Sequence, residues 1–165
     1  ENERKRCDLV IAAARSAGIM DDIHRRKEIE RATETLFAPL AQQMTEPDSQ
    51  LTKPRDAFWL EVKTIGQYHI VDGYAGPNRK YASSFNSCAA DIRKLASARD
   101  ITRAGLVVVL FCADETIGEH DLTVFMHTCL DRQLPVRSLR LASTPIADRI
   151  GNQTCMIGLI EVQTD

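Results

Sequence analysis

The chain has 165 residues, of which 44% are hydrophobic and 27% are charged. This length and composition are typical of one globular domain, and they exclude long disorder, collagen-like repeats and a disulfide-dense mini-protein. The 21 Lys and Arg residues against 23 Asp and Glu residues give a formal net charge of −2. Net charge therefore does not support a polycation wrapped on nucleic acid.

The cysteines and the apolar runs bear on where the protein works. Five cysteines without a CxxC pair predict neither a disulfide framework nor a zinc ribbon, which favours a reducing, cytoplasmic location. The longest apolar run, residues 106–113, has the length of a strand, so we expect no association with a membrane. Because the sequence begins at Glu1 and not at Met, a partner domain or subunit outside these residues is a further expectation.

Two helices are predicted in the N-terminal part, residues 1–45. Residues 7–17 are apolar and rich in alanine, and Gly18 follows them as a glycine after a helix end does. Residues 22–44 carry apolar side chains at helical spacing, which predicts a second, longer helix.

A strand with alternating side chains follows these helices. Residues 45–55 contain two prolines and predict a turn-rich connection with a short strand at 49–52. Residues 57–65 alternate with a period of two, which predicts a strand. One face of it carries Trp59, Glu61, Lys63 and Ile65, and the other carries Phe58, Leu60 and Val62. Residues 66–77 then predict a surface loop or an irregular hairpin.

The next two elements are a long helix and a buried strand. Residues 78–98 predict a helix because apolar side chains recur at spacings of four and three. These side chains are Tyr81, Phe85, Cys88, Ile92 and Leu95. Residues 105–113 are continuously apolar, as in a strand buried on both faces in the middle of a sheet.

The C-terminal part, residues 118–165, adds one helix and two strands. The helix is predicted over 118–134, with the strands at 136–142 and 155–163 joined by a loop at 145–153. The helix side chains expected to point inward are Leu122, Phe125, Met126, Cys129 and Leu130. Taken together, the order of elements predicts a single α/β domain with a mixed central sheet flanked by helices.

The triplet Glu61-Val62-Lys63 carries the chemistry that the sequence suggests. Because side chains alternate along a strand, Glu61 and Lys63 project from the same face. A carboxylate is a ligand for Mg²⁺, and an ammonium can stabilise the charge that develops during phosphodiester hydrolysis or help to deprotonate a water. Such a site requires a second carboxylate.

Pro47-Asp48, a predicted hairpin and then Glu61-Val62-Lys63 resemble the motif of the PD-(D/E)xK nuclease superfamily, which has a restriction-endonuclease-like core. Residues 22–113 follow the superfamily's order of a helix, a strand hairpin, a second helix and a buried strand. The resemblance implies that Asp48 and Glu61 bind Mg²⁺ or Mn²⁺ and that Lys63 is the catalytic lysine. Asp56 is the alternative second acid, although it lies only five residues before Glu61.

A basic stretch follows the motif. Residues 76–103 contain six Lys and Arg residues and two Asp residues, which gives a local charge of +4. We therefore predict a nucleic-acid partner that contacts Arg79, Lys80, Arg93 and Lys94. The alternative is a solvated helix face.

Two other interpretations of these residues stay open. Glu61 and Lys63 could form an ordinary ion pair in a non-catalytic interaction or regulatory domain that keeps the fold without a working metal site. Alternatively, an acidic cluster after the strand at 105–113 could serve a small-molecule site or simply cap the next helix. The members of this cluster are Asp114, Glu115, Glu119 and Asp121.

Overall fold

A computed structural model describes residues 7–14, 16, 18–19, 51–98, 101–147 and 150–164. The chain divides into two compact units, one made of Ala12–Ala57 and the other of Glu1–Ile11 with Phe58–Asp165. The second unit carries the main sheet. The single domain predicted from length and composition stays a prediction.

In chain order the elements are β1 (Leu9–Ile11), β2 (Gly18–Ile19), β3 (Leu51–Thr52), a 3-10 helix (Pro54–Asp56), β4 (Phe58–Gly66), β5 (Tyr68–Val71), β6 (Tyr74–Pro77), α1 (Tyr81–Ala96), β7 (Ala104–Cys112), α2 (Glu115–Asp131), β8 (Val136–Pro145) and β9 (Thr154–Val162). The main sheet has five strands in the order β1-β4-β7-β9-β8. Strands β4 and β7 are parallel, and every other neighbouring pair in this sheet is antiparallel. The α/β class with a mixed central sheet is therefore confirmed.

The core of this unit lies between β7, β9 and the two helices. Leu106, Val108 and Leu110 alternate along β7 and are fully buried. They belong to one apolar cluster with side chains of α1 and α2, and the helices meet where the Phe85 and Phe125 rings lie 5.1 Å apart. Because both helices join this cluster, the intervening positions of β7 are only half-buried. The expectation that both faces of β7 are buried was therefore wrong for one face.

The connection between β4 and α1 is more regular than predicted. Strands β5 and β6 form an antiparallel hairpin closed by Asp72 and Gly73. Both residues have positive φ, 51° and 81°, as a tight two-residue turn requires. This hairpin places the start of α1 beyond the C-terminal end of β4.

Two local predictions were wrong. Residues 9–11, expected in a helix, form β1 and pair with Phe58–Leu60 of β4, so a partner far away in sequence overrides the local alanine-rich pattern. Leu130 was expected to point inward and is 51% exposed. Cys129 is the last buried residue of α2, and Leu130 follows it next to the helix end at Asp131.

The predicted helix at 22–44 lies outside the described residues. Within the described ranges, no helix is long and apolar enough to cross a membrane.

Candidate functional site

Glu61 and Lys63 point from β4 toward α1. Glu61 lies opposite Leu106 and Lys63 opposite Val108, both of which face the helix-covered core. The predicted common face of the two side chains is confirmed by this register. Glu61 is only 7% exposed, whereas the side chain of Lys63 keeps 32% of its surface in solvent. A nearly buried carboxylate therefore stands beside a more accessible ammonium.

Helix α1 supplies an oppositely charged partner to each of them. Lys63 Nζ lies 3.1 Å from Asp91 Oδ2, and Lys94 Nζ lies 3.4 Å from both carboxylate oxygens of Glu61. Asp91 and Lys94 are three positions apart, so they share one face of the helix. The contact with Asp91 is the main cause that raises the pKa of Lys63, and the charges of Glu61 and Asp8 act in the same direction.

Asp8 is a second carboxylate at this place, and the sequence reading missed it. It directly precedes β1, whose residue Leu9 pairs with Leu60. The backbone N–H of Val62 donates a 2.8 Å hydrogen bond to Asp8 Oδ2. Asp8 thus lies at the middle residue of the Glu61-Val62-Lys63 triplet. It is exposed, so its carboxylate is accessible from solvent.

The sequence signal that could have placed Asp8 next to a strand lies in the residues that follow it. Asp8 stands immediately before the apolar, β-branched run Leu9-Val10-Ile11, which is a signal for a strand. The pairing with β4 across some fifty residues carries no local signal, because register between distant strands is set by tertiary structure.

The predicted second acids are Asp48 and Asp56. Asp48 lies outside the described residues. Asp56 ends the short 3-10 helix, is exposed and belongs to the other compact unit. The roles of both as second acids stay predictions.

The four predicted nucleic-acid contacts are separated by the structure. Arg79 and Lys80 are exposed at the start of α1 and, with His69, line a cleft of about 450 Å³ next to the β5–β6 hairpin. Arg93 is exposed near the end of α1. Lys94 lies 3.4 Å from Glu61 and keeps 36% of its side chain in solvent, so its contact with nucleic acid stays a prediction.

The acidic residues after β7 act in the local structure. Asp114 caps α2 by accepting a 2.9 Å hydrogen bond from the Ile117 N–H. Glu115 accepts from the Ser143 hydroxyl at 2.5 Å, and Asp121 accepts from the Tyr81 hydroxyl at 2.6 Å. These contacts favour the capping interpretation over a separate small-molecule site.

The cysteines nearest the core are unsuited to nucleophilic chemistry. Burial raises the pKa of the Cys88 and Cys129 thiols to about 11, so both are protonated at neutral pH. Burial is also the main cause that raises the pKa of Cys7, and the charge of Glu61 adds to it.

Glu61 offers the type of oxygen ligand that a hard divalent cation prefers. A buried carboxylate normally accepts short hydrogen bonds of about 2.7–2.9 Å from charged donors. The hydrogen bonds that the structure records to Glu61 are both from Lys94, at 3.4 Å, so Lys94 neutralises Glu61. Mg²⁺ commonly takes one or two protein carboxylates and completes its shell with water.

Within the part of the chain that is described, no three or more His, Cys, Asp or Glu side chains form a ready metal cluster. A cation at Glu61 would therefore rely on two carboxylates at most from these residues. In comparisons with protein-family models, curated proteins and solved structures, nothing matches this chain. The interpretation of its function therefore rests on the geometry around Glu61.

Proposed function

We propose that this chain is a Mg²⁺- or Mn²⁺-dependent nuclease that hydrolyses phosphodiester bonds, with Glu61 and Asp8 as cation ligands and Lys63 as the catalytic lysine. The observation that carries the proposal is the hydrogen bond from the Val62 N–H to Asp8 Oδ2. It supports a second, accessible carboxylate beside Glu61 and Lys63, which a metal-dependent site of this kind requires.

The order of elements supports a restriction-endonuclease-like core. Strand β1 pairs antiparallel with β4, α1 crosses over, and β7 then lies parallel to β4. In this arrangement Asp8 directly precedes β1, and β4 carries Glu61 and Lys63. The PD-(D/E)xK resemblance is therefore proposed with Asp8 in the role that the sequence motif alone gives to Asp48.

Each side chain has a distinct task in the proposed reaction. When bound, the divalent cation supplies Lewis-acid polarisation of the scissile phosphate and lowers the pKa of a water. Glu61 and Asp8 provide the negative charge that holds it. Asp91 fixes Lys63 and raises the pKa of its ammonium, so Lys63 stays protonated at neutral pH. This favours a role for Lys63 in stabilising charge in the transition state over a role as a general base.

A second candidate is a non-catalytic interaction domain. It is favoured by one observation, that α1 engages Glu61 and Lys63 in two ion pairs. Such crossed pairs could serve only to fix the helix against β4.

The test is cleavage of plasmid DNA, single-stranded DNA and single-stranded RNA by the purified chain with Mg²⁺, Mn²⁺ or EDTA. We expect cation-dependent cleavage that falls on the order of 100-fold or more in Glu61→Gln and Lys63→Met, because each removes a charge from the reacting centre. Glu119→Gln is the matched control, since Glu119 is exposed on α2 outside the site. Unchanged cleavage in Glu61→Gln and Lys63→Met contradicts the proposal.

The second acid is identified by three further variants, Asp8→Asn, Asp48→Asn and Asp56→Asn. Asparagine keeps an oxygen that can accept the Val62 hydrogen bond, so Asp8→Asn tests charge and not folding. We expect loss of cleavage in Asp8→Asn alone. Loss of cleavage in Asp48→Asn or Asp56→Asn, with full cleavage in Asp8→Asn, would show that Asp48 or Asp56 is the second acid and that Asp8 is not. A folded chain that binds no Mn²⁺ and cleaves none of the substrates supports the interaction domain.

A further inference from the structure

Lys94 and Lys63 have different partners at the site. Lys63 Nζ forms an ion pair with Asp91 at 3.1 Å, whereas Lys94 Nζ lies 3.4 Å from both oxygens of Glu61. Lys94 comes from the last turn of α1, and 36% of its side chain is in solvent. Its ammonium sits on a flexible four-carbon stem.

Glu61 has no such freedom. Its side chain is 9% exposed and projects from the middle of a strand that is paired on both sides. A charged carboxylate at this depth needs a counter-charge, since an unpaired buried charge is strongly unfavourable. Lys94 supplies that counter-charge in the structure.

We propose that Lys94 is an exchangeable counter-ion, which neutralises Glu61 until a divalent cation binds and displaces it. This inference rests on the proposed function, because it requires that Glu61 is a cation ligand. An ammonium placed evenly between the two carboxylate oxygens and a divalent cation compete for the same oxygens, and like charges repel at such short range. Lys63 stays in place because Asp91 holds it. Of the two lysines, one is thus retained for the reaction and the other leaves when the cation binds.

The competition is measured by titrating Mn²⁺ into the whole chain by calorimetry, with the fluorescence of Trp59 as a second readout. Trp59 is the single tryptophan of the chain and lies two residues before Glu61 on the same face of β4. We expect Lys94→Met to bind Mn²⁺ at least about tenfold more tightly than the wild type, because a competing positive charge within about 4 Å is removed. Lys94→Gln, which keeps a polar group against Glu61, is expected to shift the affinity in the same direction.

Arg93→Met is the control, because it removes the same charge from the neighbouring, exposed position of α1. We expect its Mn²⁺ affinity to equal that of the wild type. Glu61→Gln combined with Lys94→Met is expected to lose the gain, since the ligand itself is gone.

The outcomes separate this inference from the proposed function. Equal or weaker Mn²⁺ binding by both Lys94 variants, with clear binding by the wild type, overturns the exchange and leaves the metal site standing. No binding by the wild type or by either Lys94 variant overturns both. Tight binding by Lys94→Met, lost again with Glu61→Gln, supports both.

Discussion

At the scale of single residues, the ion pair between Asp91 and Lys63 links the proposed chemistry to stability. The pair joins α1 to β4 at 3.1 Å, with side-chain exposures of 16% for Asp91 and 32% for Lys63. This is intermediate between a surface pair, worth about 0–1 kcal/mol, and a buried pair, whose disruption costs about 3–5 kcal/mol. The contact is therefore expected to contribute measurably to folding.

Asp91→Asn should lower the free energy of unfolding by about 1–3 kcal/mol at pH 7.5, measured by urea titration, because Lys63 loses its principal partner. The pKa of Lys63 is raised in the folded state, so its stabilisation is complete below about pH 10.4, the ordinary lysine pKa, and is lost as pH rises through the higher folded value. The difference between wild type and variant should shrink accordingly above about pH 10.4. Asp131→Asn, at the exposed end of α2, is the control.

An equal loss of stability in Asp131→Asn, or a difference between wild type and Asp91→Asn that stays constant above about pH 10.4, would show that the Asp91 contact does not act through the charge of Lys63.

Prediction at this scale depends on periodicity. Alternation along residues 57–65 was enough to place Glu61 and Lys63 on one face, and the register confirms it. The apolar spacing along α1 indicated which face of the helix meets the sheet, but it could not show that Asp91 and Lys94 would reach Lys63 and Glu61, because pairing between side chains of distant elements depends on packing.

At the scale of elements, locally periodic segments were predictable and distant pairings were not. The strand with alternating side chains, the helix beginning near Tyr81 and the apolar strand β7 all carry their signal within one window of sequence. Strand β1 is only three residues long and owes its conformation to β4, which lies in another part of the chain. The error at residues 7–17 and the missed Asp8 therefore have the same cause.

Gly118 shows how closely α2 approaches the sheet. A Cβ at this position would meet Cys112 Sγ at 2.8 Å and Met156 Cβ at 3.2 Å, and both of these residues are buried. Glycine inside a helix is unfavourable by about 1 kcal/mol relative to alanine, so helix propensity alone favours a substitution. Overpacking of a dense core costs about 1–3 kcal/mol and opposes it.

We expect the packing cost to win, so Gly118→Ala should lower the unfolding free energy by up to about 2 kcal/mol in urea or thermal titration. The control is His127→Ala in the same helix, where the side chain is exposed and better helix propensity acts alone. That variant should be neutral or slightly more stable. A Gly118→Ala protein at least as stable as the wild type would mean that α2 can move away from β7 and β9 at little cost.

At the scale of the whole molecule, the net charge of −2 conceals an uneven distribution. Three of the four acidic side chains after β7, those of Asp114, Glu115 and Asp121, are engaged in capping and hydrogen bonds. In the same unit, the cleft beside the β5–β6 hairpin brings together His69, Arg79 and Lys80. A small cationic surface on a near-neutral protein implies few phosphate contacts, hence weak nucleic-acid binding with a shallow dependence on salt.

The double variant Arg79→Ala with Lys80→Ala tests whether that cleft contacts phosphates. The affinity for a labelled single-stranded 20-mer, measured by fluorescence anisotropy in EDTA to prevent cleavage, should fall at low salt. The slope of log affinity against log salt should become shallower by about 1.4, because each lost phosphate contact on a single strand removes about 0.7. Arg137→Ala with Arg140→Ala on β8 removes the same charge from another exposed place and should leave the slope unchanged. If both double variants weaken binding equally with parallel slopes, overall charge governs the interaction and the cleft is not the contact surface.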